Sequence, residues 1–190
     1  MPIRSSLILV VCAALCLGAG AASPPNQALI QQQTAALAKL QRFDGLWRGQ
    51  ATVTQPDGTK LELVQTERVG PMLGGALRVI EGRGHSQDGS LVFNAFAVIS
   101  FSPSSGKYNF RSHAQGYSGD FPLEVTEDGF SWSIQAGPAL LKYTASVKDG
   151  VWSEIGERIE PGKAPVRTFE MRLRKVGDTE WPAGGAPAWR

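Results

Sequence analysis

Cysteine is nearly missing from this 190-residue chain, and the two that occur, Cys12 and Cys16, both lie near its start. Histidine is equally scarce, with only His85 and His113. Charge of one sign is lacking too: 19 Lys+Arg against 17 Asp+Glu give a net charge of +2, too small for a nucleic-acid footprint. Common catalytic signatures are absent, with no Gly-x-x-x-x-Gly-Lys-Ser/Thr, His-Glu-x-x-His or Gly-x-Ser-x-Gly. Ser104 and Lys107 have Ser-x-x-Lys spacing, but they straddle the Ser105-Gly106 turn instead of opening a helix, so nothing would hold them together. What remains is a composition of 42% hydrophobic and 19% charged residues, which suits one globular domain and excludes a disordered or fibrous chain.

Both cysteines fall in a segment that reads as a secretory signal. Arg4 supplies a basic start, Leu7 to Leu17 is an uncharged apolar run, and Ala19-Gly20-Ala21 places small residues where signal peptidase reads them. As a membrane anchor the segment is poor. The uncharged stretch from Ser5 to Pro24 only just approaches the roughly 20 residues needed to cross hydrocarbon. A lipid anchor is poorer still, because Val11 and Leu15 stand before the cysteines where a small residue is needed. Cleavage after Ala21 leaves a mature chain with no cysteine, hence no disulfide and no thiol chemistry. The expected location is therefore periplasmic or secreted, with a signal at 1–21 and no transmembrane span in the mature protein.

Residues 22–43 carry one short amphipathic helix. Asn26 can cap it behind Pro24-Pro25, and Leu29, Ala36, Leu37, Leu40 and Phe43 recur at helical spacing, as a lid or plug would require. From residue 44 to 176 the period changes to alternation. Asp57-Gly58, Asp88-Gly89, Ser105-Gly106, Asp128-Gly129 and Asp149-Gly150 punctuate it as hairpin turns. Between them lie about ten strand segments, near 46–54, 60–69, 76–86, 91–101, 107–115, 121–127, 130–136, 140–147, 151–159 and 167–175. No helical pattern interrupts them, which excludes a parallel sheet with crossovers. The expected fold is all-β: a roughly ten-stranded up-and-down antiparallel barrel, whose closure removes exposed edges. Arg48, Arg111, Arg172 and Arg174 on the outer parity speak against a lipid-facing barrel. Residues 177–190, rich in Pro, Gly and Ala and carrying Trp181 and Trp189, form a C-terminal tail.

Phe43-Asp44-Gly45-Leu46-Trp47-Arg48-Gly49 resembles the Gly-x-Trp opening of lipocalin and calycin barrels. That resemblance implies that Trp47 closes one barrel end under an arginine of the last strand, Arg172 or Arg174. Gly74-Gly75-Ala76-Leu77, Asn94-Ala95-Phe96-Ala97, Ser105-Gly106-Lys107-Tyr108 and Trp152-Ser153-Glu154 follow in an order similar to a family of bacterial secreted proteins with a lipocalin-like domain, distantly related to nitrobindin-type barrels. The likeness spans residues 43–176 and implies a ligand but no activity. The histidine near the last strand that holds haem in nitrobindin-type barrels has no counterpart in residues 160–190, so haem is disfavoured and no cofactor is expected.

Reading the inner face by bulk puts Trp47, Ala51, Val53, Leu61, Leu63, Leu77, Val79, Phe93, Ala95, Ala97, Ile99, Phe101, Tyr108 and Phe110 inside. Phe130, Trp132, Ile134, Leu141, Tyr143, Phe169, Met171 and Leu173 follow. The same parity carries Gln65, Glu67, Glu81, Arg83 and Glu157 inward, with Glu67 or Glu81 able to pair with Arg83, and turns Arg111, His113 and Glu154 to solvent. His85 shares a strand face with Glu81 and Arg83, but two ligands and a cation make a poor zinc site, and no metal is expected. Glu67, Glu81, Arg83, Trp132, Tyr143 and Glu157 are the candidate ligand-binding residues of a largely apolar lumen. The favoured function is an exported binder of a small apolar molecule. One alternative is an enzyme using Glu67, Glu81 or Glu157 as a buried general acid or base; another is a non-catalytic envelope structural or interaction protein. The sequence names neither a catalytic residue nor an oligomeric state.

Overall fold

A computed structural model of the chain describes residues 25–179. Residues 1–21, where a signal is expected, and most of the 177–190 tail, including Trp181 and Trp189, lie outside the described residues.

One helix precedes the strands. α1 spans Gln27–Ala38, and Asn26 caps it by accepting the Leu29 amide at 3.1 Å. A single 3₁₀ turn at Gln41–Phe43 leads into the sheet. Ten strands follow: β1 (Gly45–Thr54), β2 (Lys60–Met72), β3 (Leu77–His85), β4 (Leu91–Ser102), β5 (Lys107–Ala114), β6 (Tyr117–Val125), β7 (Gly129–Ala136), β8 (Ala139–Lys148), β9 (Val151–Ile159) and β10 (Val166–Gly177). Each pairs antiparallel with its neighbours in sequence, and β10 pairs back to β1. The result is the closed antiparallel barrel expected from the alternation, with the helix ahead of it.

β6 starts four residues earlier than its apolar run suggests. Gln115 and Gly116 both adopt positive φ, 50° and 84°, and make a two-residue turn that sets Ala114 against Tyr117. Lacking Asp-Gly, the turn leaves no strong mark in the sequence. On its other side β6 pairs with β7 only from Leu123↔Trp132 to Val125↔Phe130. Pro122, with no N–H to donate, sits where that ladder stops.

Leu37, Leu40 and Phe43 are buried across one end of the barrel. Phe43 packs on Phe130 and Trp152 with ring centroids 5.0 Å away in each case, and Trp47 meets Trp152 edge-on at 5.8 Å. Trp47 also donates its Nε1–H to the Phe43 carbonyl at 2.7 Å. The helix is thus a plug tied into the aromatic floor, and Tyr108 of β5 holds it from the side by donating to the Ala36 carbonyl at 3.0 Å.

The arginine that fastens this end is Arg78 of β3. Only 5% exposed, it grips Asp44 with two 2.7 Å hydrogen bonds and also donates to the Leu37 carbonyl. Arg172 and Arg174 do not play the closing role that the family resemblance implies: both are exposed on the outer face of β10. Trp47 is buried at the barrel end as expected.

Candidate functional site

Residues directly opposite one another in adjacent strands share a face. From Leu63 on β2 the inner ring runs to Ala51 on β1, Met171 on β10 and Glu154 on β9. Tyr143 on β8 pairs with Trp132 on β7, which in turn pairs with Leu123 on β6. Inside these strands lies a cavity of about 1240 Å³, walled by Leu63, Ile80, Phe110, Phe121, Trp132, Tyr143 and Phe169 among others. It reaches the surface at the end away from α1, where exposed Gln55, Pro56, Gln115 and Tyr117 border it.

Of the candidate ligand-binding residues, Glu67, Trp132 and Tyr143 line this cavity. Glu81, Arg83 and Glu157 do not. The register Glu67↔Gly82 and Gln65↔Gly84 turns the even positions of β3 inward, so Glu81 and Arg83 stand outside with His85. They form the anticipated pair at 2.6 Å, but on the outer surface, in a shallow recess shared with His113. Leu77 and Val79, assigned inside by their bulk, do not line the lumen, whereas Ile80 does. On β9, Glu157 lies opposite Lys142 and Arg167 on the outer face. Glu154, assigned to solvent, points in.

One cause explains both inversions. The inner positions of β3 and β9 include Gly82, Gly84 and Gly156, which have no side chain to betray their side. Their bareness is used. A Cβ on Gly82 would lie 2.7 Å from Glu67 Oε1, and one on Gly156 would lie 2.7 Å from the Tyr143 ring. The glycines make seats in the wall for a carboxyl and an aromatic ring. The signal available in sequence was alternation of glycine with charge in Glu81-Gly82-Arg83-Gly84 and Gly156-Glu157, a pattern that suits an outer charged face with a crowded inner one.

Two carboxyls, Glu67 and Glu154, therefore share the buried part of the lumen, with Glu160 lining it near the open end. Gln65, 2% exposed, donates its Nε2–H to Glu67 Oε1 at 2.7 Å. Burial nevertheless pushes the Glu67 carboxyl up to about 8, and the negative charges of Glu154 and Glu81 push the same way against the Gln65 bond. Glu154 is raised by burial to about 7, while the indole N–H groups of Trp132 and Trp152 favour its charged form. Trp132 Nε1 reaches Glu154 Oε1 at a long 3.4 Å. Trp152 Nε1 is close enough to act on the charge, yet it is buried without a hydrogen bond of ordinary geometry. Burial, helped by the Glu154 charge, also raises the Tyr143 phenol.

Above the acids is an aromatic wall. Trp132 and Tyr143 stack with centroids 4.4 Å apart and planes 11° off parallel. Phe110 and Phe121 pack on the other sides of Trp132 at 4.7 and 5.7 Å, and Phe169 meets Tyr143 at 6.1 Å. Such an arrangement can hold a hydrophobic body and fix one polar end. Among the described residues no group of three or more His, Cys, Asp and Glu is placed to hold a metal ion.

No protein-family model matches the chain, and no curated protein matches it in sequence. Solved structures do match in fold. Rv2717c from M. tuberculosis superposes with a TM-score of 0.56 at 12% identity, covering 76% of this chain and 97% of that one. The S-type phycobiliprotein lyase CPES from Guillardia theta superposes with a TM-score of 0.52 at 10% identity, covering 82% of this chain and all of that one, 100%. At such identities the likeness speaks for architecture alone. The closed ten-stranded ring and these two neighbours together make this a lipocalin-like barrel.

Proposed function

We propose that this protein is exported and binds a small, largely apolar molecule in its barrel lumen without transforming it. The observation that carries the reading is the cavity itself. At about 1240 Å³ it is larger than a common drug-sized site of about 300–1,000 Å³. It is plugged at one end, open at the other, walled by rings, and supplied with a few polar groups at one place. The similarity in fold to a protein named as a phycobiliprotein lyase supports a barrel that receives a ligand. Export rests on the basic start, apolar run and small residues of the first 21 positions.

Native mass spectrometry of protein purified from its own host, with a titration of the fluorescent apolar probe N-phenyl-1-naphthylamine, tests binding. A co-purifying small molecule or saturable uptake of the probe is expected. Absence of both would end the proposal. Fractionation and N-terminal sequencing test export, with a mature chain beginning at Ala22 expected and a cytoplasmic chain retaining Met1 contradicting it.

The two raised carboxyls favour a second reading, proton transfer by Glu67 and Glu154 on a bound substrate. It replaces the first if the recovered molecule is converted by the protein and Glu67→Gln stops conversion without releasing it.

A further inference from the structure

We infer that the lumen's occupant is an organic cation: an apolar molecule bearing a protonated nitrogen, seated with that nitrogen at Glu67 and Glu154 and its body along the Trp132–Tyr143 wall. This rests on the lumen-binding reading and narrows it to a chemical class.

The charges inside the barrel set the argument. Among the described residues, the charged side chains lining the cavity are Glu67, Glu154, Arg158 and Glu160. Arg158 and Glu160, near the open end, satisfy each other at 2.7 Å. Arg78, the one buried cation among the described residues, is taken by Asp44 and the Leu37 carbonyl in the plug. No cationic side chain of the barrel is left to face the two acids at depth, although burying carboxyls without a cation is costly.

Against the burial that disfavours charge, the neighbours of the acids supply donors that favour the carboxylate form. Gln65 donates to Glu67, and Gly82 keeps the wall clear for that carboxyl. Two indole donors converge on Glu154, one at long range and one, Trp152 Nε1, buried and unpaired although Trp152 is only 1% exposed and lines the cavity. Such donors are best used when Glu154 is a carboxylate, and a bound cation is what would keep it one. An anionic ligand would meet two acids, and a neutral one would leave the indole donors half-used.

Binding should be coupled to protons. Besides each other, Glu67 and Glu154 feel Tyr143 from β8 and Glu81 from the outer face of β3, with Arg158 and Glu160 farther along β9 and at its end. β1, β4, β5, β6, β7 and β10 line the lumen with uncharged side chains only. Burial keeps the Glu67 acid protonated up to about 8 and Glu154 up to about 7 when the lumen is empty. A cation must expel those protons. Its affinity should rise about tenfold per pH unit for each proton released, and level off above the higher value.

The test uses three ligands of one shape: 1-naphthylmethylammonium, 1-naphthylmethanol and 1-naphthoate. Calorimetry is run on the whole protein from about pH 6 to about pH 8.5, in buffers of differing ionisation heat so that proton release is counted directly. The ammonium should bind at least about tenfold tighter than the alcohol at the upper pH, release protons on binding, and exceed the naphthoate by more. Glu67→Gln and Glu154→Gln should each erase most of that preference, bringing the ratio of ammonium to alcohol affinity toward one. Proton release that dies away toward about pH 8.5 in the unmodified protein, where an amine bound neutral would still shed its own proton, decides the matter even if a variant folds poorly. Equal binding of alcohol and ammonium, or a preference untouched by both variants, overturns the inference and leaves the lumen-binding reading standing. Failure of all three to bind while N-phenyl-1-naphthylamine is still taken up also overturns the inference alone; the lumen-binding reading falls only if that probe and any co-purifying molecule are absent too.

Discussion

Gly82 of β3 lies directly opposite Glu67 of β2, and a Cβ at Gly82 would come within 2.7 Å of Glu67 Oε1. The carboxyl occupies the space that a side chain would otherwise fill. This places a buried acid against backbone, held by Gln65, at the edge of a cavity into which it can swing.

Gly82→Ala is therefore expected to be mild in stability and large at the site. The carboxyl is the mobile end of a side chain with open space beside it, so the cost should be on the order of 1 kcal/mol. Glu67 should become less buried and its titration, followed by carboxyl NMR, should move down from about 8. Gly49→Ala is the contrast. There the added Cβ meets the Arg172 carbonyl and the Leu173 backbone across the β1–β10 closure, which cannot swing away. Denaturant melts should show a loss of several kcal/mol, on the order of 3 or more, or no folded protein. Similar losses at the two glycines would contradict the seat.

Stability should fall as pH rises through neutrality. The folded pKa of Glu67 is raised from 4.5 to about 8, so the native state holds a proton that the unfolded chain releases. That contribution is full below about 4.5 and is lost progressively up to about 8. Glu67→Gln resembles the protonated acid. It should leave the melting temperature nearly unchanged at about pH 4.5 and raise it above about pH 8, by on the order of 5 °C. An unchanged or lowered melting temperature at high pH would show that the carboxyl is not held in a desolvated place.

The plug should depend on one buried ion pair. Asp44→Ala leaves the 5% exposed Arg78 guanidinium without its carboxylate. The expected loss is about 3–5 kcal/mol, with α1 exposed to proteolysis. Arg172→Ala and Arg174→Ala, on the exposed face of β10, should each change stability by less than about 0.5 kcal/mol. A large effect at either would restore the closing role that the Gly-x-Trp resemblance assigns to the last strand.

Filling the lumen should abolish uptake without unfolding the barrel. Ala95 of β4 lines the cavity and is only half-buried, so Ala95→Trp can project an indole into empty space. N-phenyl-1-naphthylamine affinity should drop at least about tenfold, that is by about 1.4 kcal/mol, while circular dichroism is unchanged. Glu157→Ala, on the outer face, should leave probe binding as it was. The reverse result would place the binding site outside the barrel.

Much of this protein is legible along the chain because its signals are local. Asn26 caps a helix whether or not a barrel follows, Asp149-Gly150 turns a hairpin by its own backbone preference, with φ of 51° and 69°, and alternation from Gly45 onward calls for strands. Ten strands without a crossover leave little choice but antiparallel closure. Even much of the inner wall, from Phe93 through Phe110 to Trp132, Tyr143 and Met171, follows from bulky residues at every second position.

The direction of Glu81, Arg83, Glu154 and Glu157 is different. Which face of β3 and β9 looks inward depends on register with β2, β8 and β10, and glycine at inner positions removes the bulk that would announce it. Alternation sets the period of a strand but not its phase. Only the closed ring supplies the phase, because each strand must match two neighbours at once, and that is why the presence of Glu67 and Glu154 in one lumen, and the ion pair of Arg78 with Asp44, belong to the tertiary structure alone.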